Sequence, residues 1–227
     1  MNAHCCRGAV SIVMVMVALI GGCAAPALLE IGPNANLFNR DAATAEPRAP
    51  GRVALIVEPQ AQQMTVELEK RARLHAGAFV EQAVLTAVDD GLLFGVQQFT
   101  EQPPANERFS ATLVIRDVHF DYDQQLLWFI PIPIPYIGIG SAIVKSEAST
   151  RLAFDVALYN AQGQLIWTRN YQDGSGRFVW TDPSSDGEPW RTGIGRLAHE
   201  AAWRLSQQVL VDLREWLAAE RMKPRGL

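Results

Sequence analysis

Between Asp123 and Lys145 the chain carries no charge, and the centre of that stretch reads LLWFIPIPIPYIGIG (126–140). Pro131, Pro133 and Pro135 stand at alternate positions and rule out most of what an apolar run can become. Each removes an amide donor and fixes φ, so neither a helix nor an interior strand runs through all three. What remains is an extended, polyproline-like path from which Ile132 and Ile134 project. Trp128, Phe129, Ile130, Tyr136, Ile137 and Ile139 surround the prolines, and such residues favour interfaces with lipid or protein. The segment lies between two strand-like stretches, which makes residues 126–143 the apolar tip of their hairpin. A large apolar patch marks an interaction site, here with a membrane, a second copy or a partner protein. The alternative is a tip folded back under a helix as a small satellite core.

The flanking stretches alternate with period two. In RFSATLVIRDVHFDYD (108–123), Leu113 and Ile115 are apolar before Arg116, and Val118, Phe120 and Tyr122 after it. That change of phase calls for a bulge or a sheet crossing near Arg116. Over 144–159, Leu152, Phe154, Val156 and Leu158 share one face, with Lys145, Glu147, Ser149, Arg151 and Asp155 on the other. NAQG (160–163) is a short hairpin loop with Gly163 free to take positive φ, and QLIWTRNYQ returns as a strand. Upstream, RVALIVEP is a buried strand ended by Pro59, and LLFGVQQF (92–99) is a second. Helical spacing of Leu68, Ala72, His75, Phe79, Ala83, Val84, Ala87 and Val88 predicts a helix from about Leu68 to Asp90, stopped at Gly91. DGSGRFVWTDPSSDGEPW (173–190) reads as a loop before a long helix over 192–221. Its inward stripe is Ile194, Leu197, Ala201, Leu205, Val209, Leu213 and Trp216, widened by Trp203, Leu210 and Leu217. The expected fold is α+β: a single, mostly antiparallel sheet in the order β-α-β-β-β-β-α, with two helices packed on one face.

Few residues offer chemistry. Asp117, His119, Asp121 and Asp123 alternate along one strand face, about 6.5–7 Å between neighbours. Two of them suit a divalent ion, but a strand face alone does not close four ligands around one, so a solvated hairpin face countered by Lys145 and Arg151 is the preferred reading and no metal or other cofactor is expected. His75 and His199 have no Cys or nucleophile-elbow Ser close in sequence and read as structural histidines. DGSG (173–176) and TGIG (192–195) lack the ending of a phosphate-binding loop. Trp167, Trp180, Trp190, Trp203 and Trp216 read as packing and interface anchors. No catalytic residue emerges. With net charge −4 and no basic stripe, nucleic acid is excluded as a partner.

The N-terminus addresses the chain. MNAHCCR carries one basic residue, Arg7, and an apolar run from Gly8 to Gly22 follows. The run falls short of the ~20 residues that a transmembrane helix needs and suits the core of a secretory signal. Leu19-Ile20-Gly21-Gly22-Cys23 resembles the bacterial lipobox. That resemblance implies a signal peptide over 1–22, a diacylglyceryl group on the Cys23 thiol, cleavage before Cys23, and acylation of its freed amine. Several acyl chains, at about 0.8 kcal/mol per buried methylene, make a firm membrane anchor. The alternative is an ordinary signal peptide cut after Ala25. Ala24, where an Asp would favour the inner membrane, points by the same resemblance to the outer membrane, on its periplasmic face. Cys5 and Cys6 leave with the signal, so the remaining Cys23 has no intrachain disulfide partner.

Residues 23–51, rich in Ala, Pro and Asn, read as the lipidated Cys and a flexible tether before a domain over 52–222. Topology and length, behind a lipobox, resemble small envelope lipoproteins such as the LPS-assembly lipoprotein LptE, the YajG type and TolB-N-like domains. The resemblance implies a non-catalytic, membrane-anchored component of an envelope assembly or transport system that works through protein–protein contacts. The alternative is a periplasmic carrier or sensor holding a lipid or other apolar ligand between sheet and helices.

Overall fold

The computed structural model describes residues 28–34, 48–68, 72–104, 107–131, 142–182 and 188–222. Within them the elements are β1 (Leu29–Ile31), β2 (Val53–Val57), α1 (Pro59–Gln62), β3 (Val66–Leu68), β4 (Ala72–Leu74), α2 (Ala76–Gly91), β5 (Val96–Phe99), β6 (Ala111–Pro131), β7 (Ala142–Asn160), β8 (Leu165–Asp182) and α3 (Glu188–Met222). The fold is α+β. Its main layer is a five-stranded sheet in the order β5-β2-β6-β7-β8. A second sheet, β1-β4-β3, stands apart from it.

The single sheet expected from the sequence is therefore corrected to two, because three short strands form a sheet of their own. In the main sheet β2 pairs in parallel with both β5 and β6, while the long ladders β6–β7 and β7–β8 are antiparallel. The parallel pairings follow from the connections: α2 lies between β2 and β5, the crossover that parallel strands require.

Alternation builds the long strands as anticipated. Leu152, Phe154, Val156 and Leu158 are all buried in one core with Leu113 and Ile115. The phase change near Arg116 is a β-bulge: the β6–β7 register shifts between Arg116 and His119, and Asp117 takes φ 42°. Asp is one of the few side chains that tolerate this left-handed conformation. Past the bulge Val118 and Phe120 turn inward and are buried. At the other end of β7, Gly163 has φ 74°, and Asn160 Oδ1 accepts from the amides of Gln162 and Gln164.

The expected helix from Leu68 begins instead at Ala76. Leu68 and Ala72 sit in the β3–β4 hairpin, where both are buried, and His75 becomes the cap residue. Their spacing fits a helical face as well as it fits two short strands, so periodicity alone does not decide. Segment 173–182, expected as a loop, continues β8 to Asp182, and α3 starts at Glu188. In α3 the inward stripe is as read: Ile194, Leu197, Ala201, Leu205, Val209, Leu210, Leu213 and Leu217 are buried, and Trp203 and Trp216 pack at its edges.

Two pieces of the expected tether belong to the folded domain. β1 pairs in parallel with β4 and buries Ile31, and Ala49 bridges Leu92 with hydrogen bonds to Gly91 and from Leu93. A three-residue strand whose partner lies some forty positions away leaves no periodic signature, so composition alone labels it a linker.

Candidate interaction site

The apolar tip is reached through a three-stranded ribbon. β2 accompanies β6 only from Ala111 to Ile115, and beyond the bulge β6 continues with β7 alone on one side. The ladder runs through Leu126↔Ser146, Trp128↔Lys145, Phe129↔Val144, Ile130↔Ile143 and Pro131↔Ala142, with a second register shift between Leu126 and Trp128. Pro131 thus ends an edge strand, where a missing amide donor breaks no second ladder. The backbone of Trp128, Phe129 and Ile130 belongs to β6; their side chains, and the whole of Ile132, Ile134, Tyr136, Ile137 and Ile139, lie outside the described residues, as does Cys23.

The row of acidic residues flanks this ribbon on its outer face. Asp117, His119, Asp121 and Asp123 are all exposed, with Asp121 opposite Arg151 and Asp123 opposite Ser149. The bulge takes Asp117 out of the row that His119, Asp121 and Asp123 keep. Arg151 donates to Gln172 at 2.6 Å, which ties β7 to β8 across the same face.

On the inner face α3 clamps β8 through two carboxylates. Arg169 and the Tyr171 hydroxyl both bond Asp212, and Arg204 bonds Asp173 at 2.6–2.7 Å, with the Ser175 hydroxyl and amide also donating to it. Burial opposes the charge of Asp212, but hydrogen bonds from Arg169 and Tyr171 outweigh it and hold the carboxyl below its usual pKa. Asp173 is lowered in the same way: desolvation is overcome by Ser175 and then by Arg204. Tyr171 is driven up, first by burial and then by its bond to Asp212, so it stays a neutral donor.

Below the bulge, the sheet face turned away from the helices carries an open cleft of about 610 Å³. Ile56, Val114 and Phe109 supply apolar floor, with Pro103 and Pro104 at the wall. Arg116 spans it, 2.8 Å from Glu58 and donating to the Tyr159 hydroxyl at 2.7 Å. Burial works against that guanidinium, but Tyr159 and Glu58 outweigh it and raise its pKa. Arg52 closes the lower rim, 3.2 Å from Glu107 and stacked over Phe109.

Against known proteins the chain has distant likenesses among solved structures. A neuraminyllactose-binding hemagglutinin homolog from Helicobacter pylori has 12% identity and TM-score 0.43, over 77% of this chain and 92% of its own. Rare lipoprotein B from Shewanella oneidensis has 11% identity and TM-score 0.42, over 75% and 98%. Uncharacterized lipoprotein B from Nitrosomonas europaea has 13% identity and TM-score 0.38, over 77% and 91%. No family model and no curated protein matches the chain. None of these likenesses is close enough to carry a function across.

The sequence singled out the two histidines without finding their surroundings. His75 caps α2, and its Nε2 lies 2.7 Å from Glu30 of β1. His199 is buried in α3. The Glu58–Arg116–Tyr159 bridge was not anticipated, because its members come from three strand ends far apart in the chain. Among the described residues no helix is long and apolar enough to cross a membrane.

Proposed function

We propose that the chain is a non-catalytic lipoprotein, anchored through Cys23 to the periplasmic face of the outer membrane and acting as a structural or assembly component of an envelope or transport system. One observation carries this reading. The ribbon of β6, β7 and β8 continues past β2 and past the start of α3 toward the uncharged 126–143 segment. A projecting ribbon of this kind displays a contact surface rather than enclosing a reaction. The test is crosslinking in the native envelope from positions on the ribbon, followed by identification of what is attached. A protein recovered at fixed stoichiometry, lost in an Ile132→Ser, Ile134→Ser variant that keeps its thermal stability, supports the role; unchanged association in that variant removes it. Lipidation is tested separately by Cys23→Ser, which should abolish lipid labelling and leave unprocessed precursor. Normal processing of that variant would sink the anchor.

A second reading has its own observation. Between sheet and helices, Phe154, Leu113, Ile115, Leu158, Leu205 and Ile194 are fully buried and fill the layer where an apolar ligand was expected. The outer-face cleft, within the ~300–1,000 Å³ range of small-molecule sites, is where a carrier would hold one. Native mass spectrometry of detergent-free protein decides it: a bound lipid lost on Val114→Trp supports the carrier, and an empty chain removes it.

A further inference from the structure

β1 changes where the anchor attaches. A tether reaching to Arg52 would leave the domain free to take any orientation above a membrane. Instead Leu29 is already in the fold, six residues after Cys23, and six residues span at most about 20 Å. The strand is held by three kinds of bond. It pairs with β4, His75 donates its amide to Ile31 at 3.0 Å, and Glu30 meets His75 at 2.7 Å and Arg73 at 3.5 Å.

The position of β1 along the molecule follows from its neighbours. A Cβ on Gly195 would sit 3.3 Å from Ile31, so β1 lies beside the N-terminal part of α3. That end of α3 is level with the ribbon, because Gly193 abuts Phe178, and Phe178, Ala148 and Gln124 are in register across β8, β7 and β6. From Gln124 the ribbon rises seven more residues to Pro131, about 23 Å at strand spacing. In the opposite direction Leu217 packs on Gly51, at the end where Trp216 and Gln162 line a second cleft. Gly195 and Leu217 are 22 helical residues apart, about 33 Å.

We infer that the ribbon end of the domain faces the lipid bilayer and lies at its surface, with the β7–β8 turn pointing away. This rests on acylation of Cys23. A tether of about 20 Å cannot bring the opposite end, about 33 Å further along α3, to the membrane while β1 stays paired. Exposed apolar side chains stand at both ends, Leu29, Leu127 and Val179 near the ribbon and Leu165, Ile166 and Met222 at the other, so the reach of the tether is what sets the orientation. Leu93 and Phe94 are exposed too, but they follow Gly91, which packs on Leu210, about 22 Å down the helix from Gly195.

The test uses the acylated full-length protein in vesicles of phosphatidylethanolamine and phosphatidylglycerol. A nitroxide is placed at a single cysteine in Leu127→Cys, Val179→Cys or Gln162→Cys, all exposed, with Cys23 blocked by its lipid. The ratio of collision with membrane-dissolved oxygen to collision with an aqueous nickel complex is read at each. The expected result is a ratio severalfold higher at 127 and 179 than at 162. Equal ratios, or the highest at 162, overturn the orientation while mass spectrometry still finds Cys23 acylated. Protection of 127 from both reagents means a protein covers the ribbon, and also overturns bilayer contact. An unacylated Cys23 in the membrane form removes the anchor reading and this inference together.

Discussion

The lower and upper halves of the long strands are built on different packing. In the body, Ala111–Arg116 with Phe154–Asn160, Leu113, Ile115, Val156 and Leu158 meet the helix layer, and Val114 and Ala157 are buried on the side that carries the cleft. The facing residues of α3 are large, Leu205, Val209 and Leu213. In the ribbon, above the Asp117 bulge, β6 still turns Val118 and Phe120 inward, but β7 and β8 present the small residues Ser146, Ala148, Thr150 and Gly176, all buried, and α3 answers with Gly193 and Ala198. A Cβ on Gly176 would sit 2.3 Å from Thr150 Oγ1, and one on Gly193 2.2 Å from the Phe178 ring. The body is held by volume throughout; in the ribbon the β7–β8 side is held by close approach. Stability should therefore reside mostly below the bulge, leaving the ribbon free to carry contacts without setting whether the chain folds.

Phe154→Ala tests that division most severely. The ring is fully buried and stacks on Tyr171 at 5.8 Å, where the body meets the ribbon. Its loss should cost about 3–5 kcal/mol in urea unfolding. A cost under 1 kcal/mol would mean that the body is not the stable half.

Asp212→Asn comes next, at about 2 kcal/mol near neutral pH, because two donors lose a charged acceptor. The sign with pH is definite. The native carboxyl has a lowered pKa, so its stabilisation is present above the ordinary carboxylate value and is lost as pH falls through the native one. The gap between wild type and variant should therefore close on acidification, and a gap that widens would contradict the assigned bonds. Asp173→Asn, the ribbon's own clamp, should follow the same pH course.

The sequence disclosed the parts of this division that are local. Alternation over Leu152–Leu158 and the change of phase at Arg116 are written in consecutive residues, and so are the turn at Gly163 and the α3 stripe. Pairings between distant short segments are not. Nothing in Leu29-Glu30-Ile31 announces β4, and nothing in Val53–Val57 announces two parallel neighbours. The glycines of 173–176 misled for a physical reason: in most chains they punctuate a loop, and here Gly176 makes room in β8 for the Thr150 side chain of β7. The Arg116 cleft was hidden because its members converge only in three dimensions. The apolar tip, read from its prolines, lies outside the described residues past Pro131.

Gly176→Ala asks whether the close approach is required. The new methyl meets Thr150 and then Leu197 at 3.7 Å, and must displace a buried hydroxyl. Overpacking of this size costs about 1–2 kcal/mol, less than removing a body side chain, because the clash is with one small side chain that can rotate. Thr150→Ala in the same chain should recover most of the loss by vacating the space. If the double variant is no more stable than Gly176→Ala alone, Gly176 and Thr150 are not in the assigned contact across β8 and β7.

The smallest effect belongs to the outer face of the ribbon, and it separates a solvated surface from a structured one. His119, Asp121 and Asp123 point to solvent from alternate positions, about 6.5–7 Å apart, and the bulge removes Asp117 from their row. A zinc ion with ligands at about 2 Å needs its donors converging on one point, which two neighbours on a strand manage and a third does not reach. On this face Asp123 accepts from the Gln125 side-chain amide at 3.3 Å, and Arg151, opposite Asp121, already donates to Gln172. An exposed pair such as Asp121 with Arg151 is worth at most about 1 kcal/mol and is screened by salt. His119→Ala with Asp121→Ala should therefore shift stability by no more than about 0.5 kcal/mol, and zinc should raise the Tm of neither protein. A stoichiometric zinc ion, or a rise in Tm on adding it that the double variant loses, would show that this face is organised by a ligand. The ribbon would then have a second source of order besides its fit against α3.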